Sequence, residues 1–282
     1  MRPVLITGAS GMLGRAFVTA CASRNLACHA TSRAELDIAD PDAMLRLLDR
    51  LEPWLVVNAA GYVRVDDAED EAERCHRENT LGAGMLARST AARAVPLVTF
   101  STDLVFDGRK DTPYLETDAP APLSVYGRSK HAAEEAVRDA HSDALMIRTS
   151  AFFGDDAGNF VTSTLRQLAA GEKVFAASDT VVSPTYVPDL VHACLDLAID
   201  GERGLWHLAN VGATSWAELA LTTARCAGYP PTNVIAVPAS ELPWRARRPV
   251  YSALGSSRGA LLGTLPEALE RHLLSAAGAL LS

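Results

Sequence analysis

Short apolar runs alternate, along the first part of the chain, with longer segments in which apolar and polar positions recur at helical spacing. The apolar runs are PVLITG, ACHATS, WLVVNAAG, VPLVTFST and ALMIRTS. Strands that are apolar on both faces and separated by helices are typical of a parallel sheet with helices on each side. The pattern therefore predicts an α/β fold with a covered parallel sheet.

The helical segments between these runs have recognisable ends. Asp40 precedes Pro41 at the start of DPDAMLRLLDRLE, which predicts an N-cap followed by a first-turn proline. Residues 67–94 are expected to form one long helix, because their acidic first turn suits the helix dipole. Another helix is expected over residues 124–140.

The rhythm changes after about residue 155, where proline and glycine become frequent and the elements shorten. Helices are still expected near residues 189–199 and 215–227. We expect residues 1–155 to form one domain. Residues 156–282 are expected to form mainly a smaller lobe that is partly interwoven with the first domain.

The composition restricts the classes of function. The chain has 282 residues, 48% hydrophobic and 21% charged, and a net charge of −8. This is a globular profile, and the acidic balance disfavours a nucleic-acid partner because phosphate binding needs a positive surface. The five cysteines are widely spaced, and no apolar stretch is long enough to span a membrane. We expect reduced thiols, a cytoplasmic location, no signal peptide, no membrane partner, and a monomer or homodimer.

A glycine-rich turn follows the first apolar run directly. The segment LITGASGMLG places Gly8, Gly11 and Gly14 between a strand and the helix that follows. Residues without a Cβ permit a tight turn and a close approach of a diphosphate to the backbone, and the helix N-terminus offers that anion free N–H groups. The spacing is G-x-x-G-x-x-G rather than the G-x-G-x-x-G dinucleotide motif. Strand, glycines and helix together predict a dinucleotide cofactor.

The end of the second strand predicts which dinucleotide binds. An acidic residue there would accept the 2′-hydroxyl of NAD, whereas an arginine accommodates the 2′-phosphate of NADP. Ser32 and Arg33 stand at this position, which favours NADPH, with NADH as the alternative; an Arg33 that only points to solvent is the competing interpretation. Asp37 and Ile38 are expected near the adenine. The small residues that end the third strand suit a cofactor passing over the sheet edge: Asn58, Ala59, Ala60 and Gly61.

A tyrosine and a lysine, Tyr126 and Lys130, lie one helical turn apart in the segment SVYGRSKHAAEEAV. Hydride transfer to a carbonyl requires a proton for the oxygen, and a free phenol titrates at ~10, too high for efficient exchange near neutrality. A neighbouring ammonium is expected to lower that pKa, and the same lysine can hold the nicotinamide ribose. Thr102, beside Ser101, can hydrogen-bond the substrate oxygen; an ordinary strand-end hydroxyl is the competing interpretation.

Other chemistries fit the sequence less well. Asp103 and Asp107 lack a convincing set of further metal ligands, and FDG is expected to form a turn. The seven histidines show no metal-ligand spacing, so no metal site is expected. Ser10 and Ser101 lack the nucleophile-elbow pattern, which disfavours hydrolase chemistry.

Several motifs together resemble a known family. TGASGMLG, NAAG, STDLVFDG, YGRSK and RTSAFFG resemble the extended short-chain dehydrogenase/reductases, and LDIADPDA, VDDAEDE, VVSPTYVPDL and RRPVYSAL narrow the resemblance to dTDP-4-dehydrorhamnose reductases. The resemblance extends from residue 4 to about residue 258. It implies a Rossmann-type doubly wound parallel sheet that binds NAD(P), with a smaller C-terminal substrate-binding lobe. It also implies NAD(P)H-dependent reduction of the C4 ketone of a dTDP sugar, the last step toward dTDP-L-rhamnose.

The resemblance also implies the residues of the site. Thr102, Tyr126 and Lys130 match the catalytic trio by position. The expected cofactor-binding residues are Gly8, Ser10, Gly11, Met12, Leu13, Gly14, Ser32, Arg33, Asp37, Ile38, Ala59, Ala60, Gly61, Ser101, Tyr126 and Lys130. The expected substrate-binding residues are Thr102, Asp103, Val105, Tyr126, Ala151, Asn159 and Arg248.

Three departures from the family pattern fall on the substrate side. Ala151 stands in place of a tryptophan after the fifth strand, Thr180 and Val182 replace a glutamine and a glycine, and Tyr251 replaces an asparagine. In the family, that tryptophan helps to shape the sugar pocket. Another nucleotide-linked 4-keto-6-deoxysugar therefore stays open as the substrate.

A basic cluster of Arg245, Arg247 and Arg248 stands out in this acidic chain. Guanidinium groups bind phosphates well, so the cluster would attract the diphosphate of a sugar nucleotide. A solvated basic turn is the competing interpretation.

Two other functions remain open from the sequence. The chain is also similar to the regulatory subunit of methionine adenosyltransferase, a reductase-like protein that binds NADP and a partner enzyme. A sugar-nucleotide epimerase or dehydratase of the same superfamily would carry an acidic residue beside the strand-four threonine, and Asp103 stands there.

Overall fold

The computed structural model describes residues 2–155 and 158–280 of the chain. Its strands are β1 (Val4–Thr7), β2 (Cys28–Thr31), β3 (Leu55–Asn58), β4 (Leu97–Thr102), β5 (Leu145–Thr149), β6 (Phe152–Phe153), β7 (Val174–Ala177), β8 (Val181–Val182), β9 (Thr185–Tyr186), β10 (Gly204–His207), β11 (Thr214–Ser215) and β12 (Val234–Val237). Its α-helices are α1 (Met12–Ser23), α2 (Pro41–Leu51), α3 (Ala72–His76), α4 (Gly82–Ala91), α5 (Val125–Ala140), α6 (Phe160–Ala169), α7 (Val187–Ile199), α8 (Trp216–Cys226) and α9 (Leu265–Leu280).

The central sheet has six parallel strands in the order β10-β5-β4-β3-β1-β2. The strand order reverses between β1 and β3, and ligands of open α/β sheets bind beyond the carboxyl ends of the strands at such a point. The predicted doubly wound parallel sheet is confirmed. The sixth strand, β10, comes from the second part of the chain, so the chain returns to the first sheet after leaving it.

Alternate strand residues build two apolar layers, one on each face of the sheet. Val4 and Ile6 of β1 pack with α1 and α7, whereas Leu5 packs on the opposite face with α2, α4 and α5. Both layers are formed by fully buried side chains such as Phe17 and Met44. The strands are therefore apolar on both faces because both faces are covered.

The long helix expected over residues 67–94 is wrong in detail. The structure has a 3-10 turn at Asp67–Glu69, then α3, a π-helical turn at Arg77–Leu81 and α4. The buried amide of Asn79 in the π turn accepts from the Tyr62 N–H at 2.8 Å and donates to the Tyr62 carbonyl at 3.1 Å and the Ser129 hydroxyl at 2.9 Å. These contacts tie the segment after β3 to α5, and the wider turn accommodates them.

Smaller sheets form beside the main one, from residues after β5. β6 pairs with β9, β7 with β12 and β8 with β11. Two separate apolar clusters underlie this part, one around Phe153, Tyr186 and Leu269 and one beneath α8.

Two further properties concern membrane-spanning helices and cysteine thiols. No helix within the described ranges combines the length and apolarity needed to cross a bilayer. The five cysteines are free thiols, of which Cys21, Cys75 and Cys194 are buried.

Candidate active site

A cavity of about 570 Å³ lies at the carboxyl ends of β1 to β4 and beside the start of α5. Most of the residues expected to bind the cofactor line it: Gly8, Ser10, Gly11, Met12, Leu13, Arg33, Asp37, Ile38, Ala59, Ala60, Gly61, Ser101, Tyr126 and Lys130. Sequence reasoning missed several lining residues: Leu36, Tyr62, Val63, Glu78, Asn79, Phe100, Phe152 and Gly158. The cavity thus joins the glycine turn to the tyrosine–lysine pair.

The glycine turn is shaped for a close backbone approach. Gly8 has a φ of +71°, and a Cβ there would lie 2.6 Å from the Ala59 backbone. A Cβ on Gly14 would press on the backbone of Gly8 and Ala9. Gly14 does not line the cavity, and the lack of a Cβ there lets α1 pack closely on the turn that follows β1. Gly11 caps α1 without a side-chain hydrogen bond, which leaves the first N–H groups of the helix available to an anion.

Both residues expected to bind a 2′-phosphate are engaged by carboxylates. The Arg33 guanidinium lies 2.5 Å from a Glu78 oxygen. The Ser32 N–H and hydroxyl both donate to one oxygen of Glu35, at 2.7 and 2.8 Å, and Ser32 is not among the lining residues. Arg77 binds Asp37 at 2.5 Å and, as the largest cause, lowers the pKa of that carboxyl. Because Arg33 is paired with Glu78 and lines the cavity, it does not only point to solvent.

The tyrosine–lysine pair stands on the first turns of α5. Ser124 caps this helix by accepting from the Gly127 N–H at 3.1 Å. A Cβ on Gly127 would press on the Leu104 carbonyl, so α5 approaches the turn after β4 closely. This packing brings Tyr126 and Lys130 to the same cavity wall as Ser101.

The pKa of Tyr126 is raised overall, whereas the neighbouring ammonium of Lys130 was expected to give a lowered value. Burial raises the pKa of the Tyr126 phenol, and Asp103 and Cys75 raise it further, while only the Thr102 hydroxyl opposes them. Burial also lowers the pKa of Lys130 to about 8, against the opposing effects of Glu134 and Cys75. Desolvation disfavours whichever form is charged, and it is the largest cause of both shifts. The phenol is protonated at neutral pH, which is the form that can donate a proton.

Thr102 and Asp103 form a buried pair behind the cavity wall. The Thr102 hydroxyl accepts from the Leu104 N–H at 3.2 Å and lies 3.1 Å from Asp103 Oδ1. The Ser252 hydroxyl donates to Asp103 Oδ2 at 2.5 Å, and burial raises the pKa of that carboxyl. Neither residue lines the cavity, although the Thr102 hydroxyl lies close enough to Tyr126 to affect its pKa.

The other expected substrate residues do not line this cavity. Val105 is fully buried in an apolar cluster with Phe106. Asn159 caps α6, accepting from the Thr162 N–H at 2.9 Å and donating to the Gly154 carbonyl at 3.0 Å. Ala151 has a φ of +40°, in the left-handed region that alanine seldom adopts. The fold thus uses Val105 for packing and Asn159 as a helix cap.

The basic cluster faces an acidic segment instead of open solvent. Arg248 binds both oxygens of Asp66, at 2.9 and 2.7 Å, and stacks on Trp244. Arg245 binds Asp67 at 3.0 Å and also Asp70. The cluster therefore ties the second part of the chain to the segment after β3. A purely solvated basic turn is wrong for Arg245 and Arg248.

A buried ion pair lies beneath Lys130. Arg148 of β5 binds both carboxylate oxygens of Glu134 at 2.7 Å, and each side chain is only 2% exposed. Glu134 follows Lys130 by one helical turn and keeps a pKa of about 2, since hydrogen bonds from Arg148 and His131 outweigh its desolvation. A fixed negative charge therefore lies next to the lysine.

Among residues 2–155 and 158–280, no group of three or more His, Cys, Asp or Glu side chains is arranged to hold a metal ion. Asp107 accepts from the Arg109 N–H at 3.1 Å and the Tyr114 hydroxyl at 2.9 Å, and Gly108 has a φ of +77°. These contacts confirm the turn predicted at FDG.

Similar proteins point to one family. Residues 1–277 match the family described as RmlD substrate binding domain. The chain is 39% identical to a dTDP-4-dehydrorhamnose reductase of Mycolicibacterium smegmatis, over 98% of this chain and 86% of that protein. It is 34% identical to a dTDP-4-keto-6-deoxy-D-glucose reductase of Streptomyces niveus, over 93% of this chain and 91% of that protein.

The fold has solved counterparts. A dTDP-4-dehydrorhamnose reductase of Bacillus anthracis in complex with NADP has a TM-score of 0.93 and 31% identity, over 97% of this chain and 99% of that chain. A dTDP-4-dehydrorhamnose reductase of Clostridium acetobutylicum has a TM-score of 0.93 and 28% identity, over 98% and 99%. The resemblance stated from the motifs is confirmed. The chain belongs to the RmlD substrate binding domain family, the family of the dTDP-4-dehydrorhamnose reductases.

Proposed function

We propose that the chain reduces the C4 ketone of a dTDP-linked 4-keto-6-deoxysugar with NADPH, with conversion of dTDP-4-dehydrorhamnose to dTDP-L-rhamnose as the leading candidate. The observation that carries the proposal is one cavity shared by the glycine turn, the start of α1 and the pair Tyr126 and Lys130. The relatives from Mycolicibacterium smegmatis and Bacillus anthracis support this assignment.

The residues present fit a dinucleotide. The uncapped start of α1 offers N–H donors to a diphosphate, and the absence of a Cβ at Gly8 leaves the turn close to Ala59. Gly8, Ser10 and Gly11 would hold the diphosphate, and Ser101 and Lys130 would hold the nicotinamide end. When bound, NADPH supplies the hydride that reduces the ketone.

The proton comes from this chain. Tyr126 is buried at the cavity wall and holds its proton at neutral pH, so its hydroxyl can protonate the sugar oxygen as negative charge develops there. The pKa of Lys130, about 8, keeps its ammonium mainly charged at neutrality, which stabilises the phenolate left behind. We propose that Thr102 orients the Tyr126 hydroxyl, since their groups lie close together.

The sugar is specified by the other part of the chain. We propose that residues 156–282 contribute mainly to substrate binding and residues 1–155 to cofactor binding, with the two interwoven through β10. Thr180, Val182 and Tyr251 make this part differ from the usual pattern of the family, and Ala151 does so just before it. The Streptomyces niveus relative is named for a different 4-keto-6-deoxysugar, which supports a proposal at the level of this substrate class.

Asp103 weighs against epimerase or dehydratase chemistry. Both of its oxygens are engaged, one by Thr102 and one by Ser252, and the residue does not line the cavity. A carboxylate acting on the sugar would have to reach it. We also propose a cytoplasmic location and action as a monomer or homodimer.

The test is coupled NADPH oxidation across dTDP-linked and other nucleotide-linked ketosugars. We expect turnover with dTDP-4-keto-6-deoxysugars and the highest kcat/KM with dTDP-4-dehydrorhamnose. Tight NADPH binding without turnover of any ketosugar would contradict the proposal and favour a regulatory, non-catalytic protein. NAD⁺ that remains bound through purification would favour an epimerase or dehydratase.

A further inference from the structure

The carboxylate of Glu35 occupies the two donors that follow β2. One of its oxygens accepts from the Ser32 N–H at 2.7 Å and from the Ser32 hydroxyl at 2.8 Å. These two bonds are the main causes that lower the pKa of Glu35, so the group is an anion at neutral pH. The donors of Ser32 therefore already bind a negatively charged oxygen.

These donors directly follow β2, where the cofactor's adenosine ribose is expected. In doubly wound sheets the group on the ribose 2′-oxygen is recognised at the end of the second strand, and β2 ends at Thr31. Arg33, Leu36, Asp37 and Ile38, on either side of Glu35 in the sequence, line the cavity. A phosphate oxygen accepts hydrogen bonds from the same kind of N–H and O–H donors as a carboxylate oxygen does.

The charges around this position also favour competition between the Glu35 carboxylate and a 2′-phosphate for the donors of Ser32. Arg33, the expected partner of a 2′-phosphate, is already paired with Glu78 at 2.5 Å. Glu35 is exposed, so its side chain can leave Ser32 at little cost in packing. A 2′-phosphate would have to displace it and would then lie beside the displaced carboxylate. A 2′-hydroxyl faces no such repulsion and can donate to a carboxylate.

We propose that Glu35 determines the choice between NADPH and NADH, because its carboxylate competes with the 2′-phosphate for the donors of Ser32. The inference rests on the proposed binding of a dinucleotide in this cavity. The chain would then bind both NADPH and NADH, and the exposed side chain of Glu35 would weaken its preference for NADPH.

The test compares dissociation constants for NADPH and NADH, read from the fluorescence of their nicotinamide ring, because these two molecules differ only in the 2′-phosphate. We expect Glu35→Ala to tighten NADPH binding about five- to tenfold and to leave NADH binding within about twofold, the size of effect expected for one exposed charge near a phosphate. Glu35→Gln should give a smaller gain, since its amide oxygen can still accept from Ser32. The gain should shrink at high salt.

Two further variants test whether the effect is specific to Glu35 and whether it acts through Ser32. Glu172→Gln removes the same charge from an exposed position between α6 and β7 and should change neither constant. Ser32→Ala combined with Glu35→Ala should lose part of the NADPH gain, because the freed hydroxyl donor is gone.

Equal effects of Glu35→Ala on both nucleotides, or no gain for NADPH, would overturn the proposal. A wild-type protein that binds neither nucleotide would overturn both this inference and the cofactor assignment. A protein that binds both but reduces no sugar nucleotide would contradict only the proposed reaction, and the ratio of the two constants would still decide the role of Glu35.

Discussion

The Tyr126 hydroxyl is the group whose removal should separate chemistry from binding. Burial, Asp103 and Cys75 keep its proton in place at neutral pH. We expect Tyr126→Phe to lower kcat by about 100-fold or more, the usual contribution of a positioned acid. The dissociation constant of NADPH should change by less than about twofold, because the ring remains. Both values can be measured on one preparation, and turnover equal to wild type would reject the role of proton donor.

The ammonium of Lys130 should limit activity at alkaline pH. Its pKa lies at about 8, so the charge is present below that pH and is lost as the pH rises through it. We expect kcat/KM for ketone reduction to fall above about pH 8, since the neutral amine no longer stabilises the phenolate. A pH profile between 6 and ~10 measures this. A flat profile across that range would contradict the assignment.

Glu134 should determine where that alkaline limb lies. Its carboxylate, fixed by Arg148, raises the pKa of Lys130 against the effect of burial. Glu134→Gln should therefore move the limb to lower pH. The variant also leaves Arg148 buried without its partner, so we expect a stability loss of about 3–5 kcal/mol.

Glu135→Gln is the matched control for this variant, because it removes the same charge from an exposed neighbour on α5. It should leave the alkaline limb in place. A limb at the same pH in Glu134→Gln and in wild type would show that Glu134 does not act on Lys130.

Two glycines of the same turn should respond differently to a methyl group. At Gly8 the positive φ and the contact with the Ala59 backbone both oppose a Cβ, whereas a Cβ on Gly11 would meet the Gly8 oxygen at an ordinary 3.5 Å. We expect Gly8→Ala to destabilise the fold by about 2 kcal/mol or more and Gly11→Ala by about 1 kcal/mol or less. Urea denaturation of both variants measures the difference. Equal midpoints would contradict the described turn.

At the scale of elements, the π turn at Arg77–Leu81 connects helix to cavity through one side chain. Asn79 makes three hydrogen bonds to Tyr62 and Ser129 and also lines the cavity. We expect Asn79→Ala to cost about 1–3 kcal/mol, because buried partners lose their bonds. It should also weaken NADPH binding, since the segment after Gly61 loses its anchor. Exposed His76→Ala is the control; identical stability and affinity in both variants would reject the anchoring role.

The elements that could be predicted are those with a local signal. The apolar runs predicted β1 to β5, of which β1, β3, β4 and β5 are largely buried on both faces, whereas the edge strand β2 is only partly buried. Asp40 was predictable as a cap, and its side chain accepts from the Asp42 and Ala43 N–H groups. The π turn was not, because Asn79 is defined by contacts with residues distant in sequence. The place of β10 in the main sheet was not predictable either, because its pairing with β5 joins residues far apart in the sequence.

At the scale of the molecule, most residues that line the cavity were predictable, whereas most of the expected substrate residues lie outside it. Glycines and small residues at strand ends lie at the cavity because the topology of the sheet places every strand end on one rim. Charge partners follow no such rule. Glu78 reaches Arg33 from the π turn, and Asp66 reaches Arg248 across 182 positions of sequence. The pKa of Tyr126 depends on burial, which cannot be inferred from the sequence spacing between Tyr126 and Lys130.

The contacts of Arg245 and Arg248 with Asp66, Asp67 and Asp70 join the two parts of the chain. Hydrogen bonds from Arg248 are the largest cause that lowers the pKa of Asp66, to about 2, so this carboxylate stays charged through the physiological range. The segment after β3 therefore has two partners, α5 through Asn79 and the second part of the chain through Asp66. It connects the cofactor cavity to the part of the chain that we propose binds the sugar.

The central claim is hydride transfer to a sugar ketone at the wall formed by Tyr126 and Lys130. Its most direct measurement uses NADPH carrying deuterium at the transferable nicotinamide position, with dTDP-4-dehydrorhamnose as substrate and NMR of the product sugar. We predict that deuterium appears at C4 of the product in wild type, and that the Tyr126→Phe variant forms this product far more slowly. Deuterium retained on the nicotinamide, or a product with hydrogen from water at C4, would contradict the account.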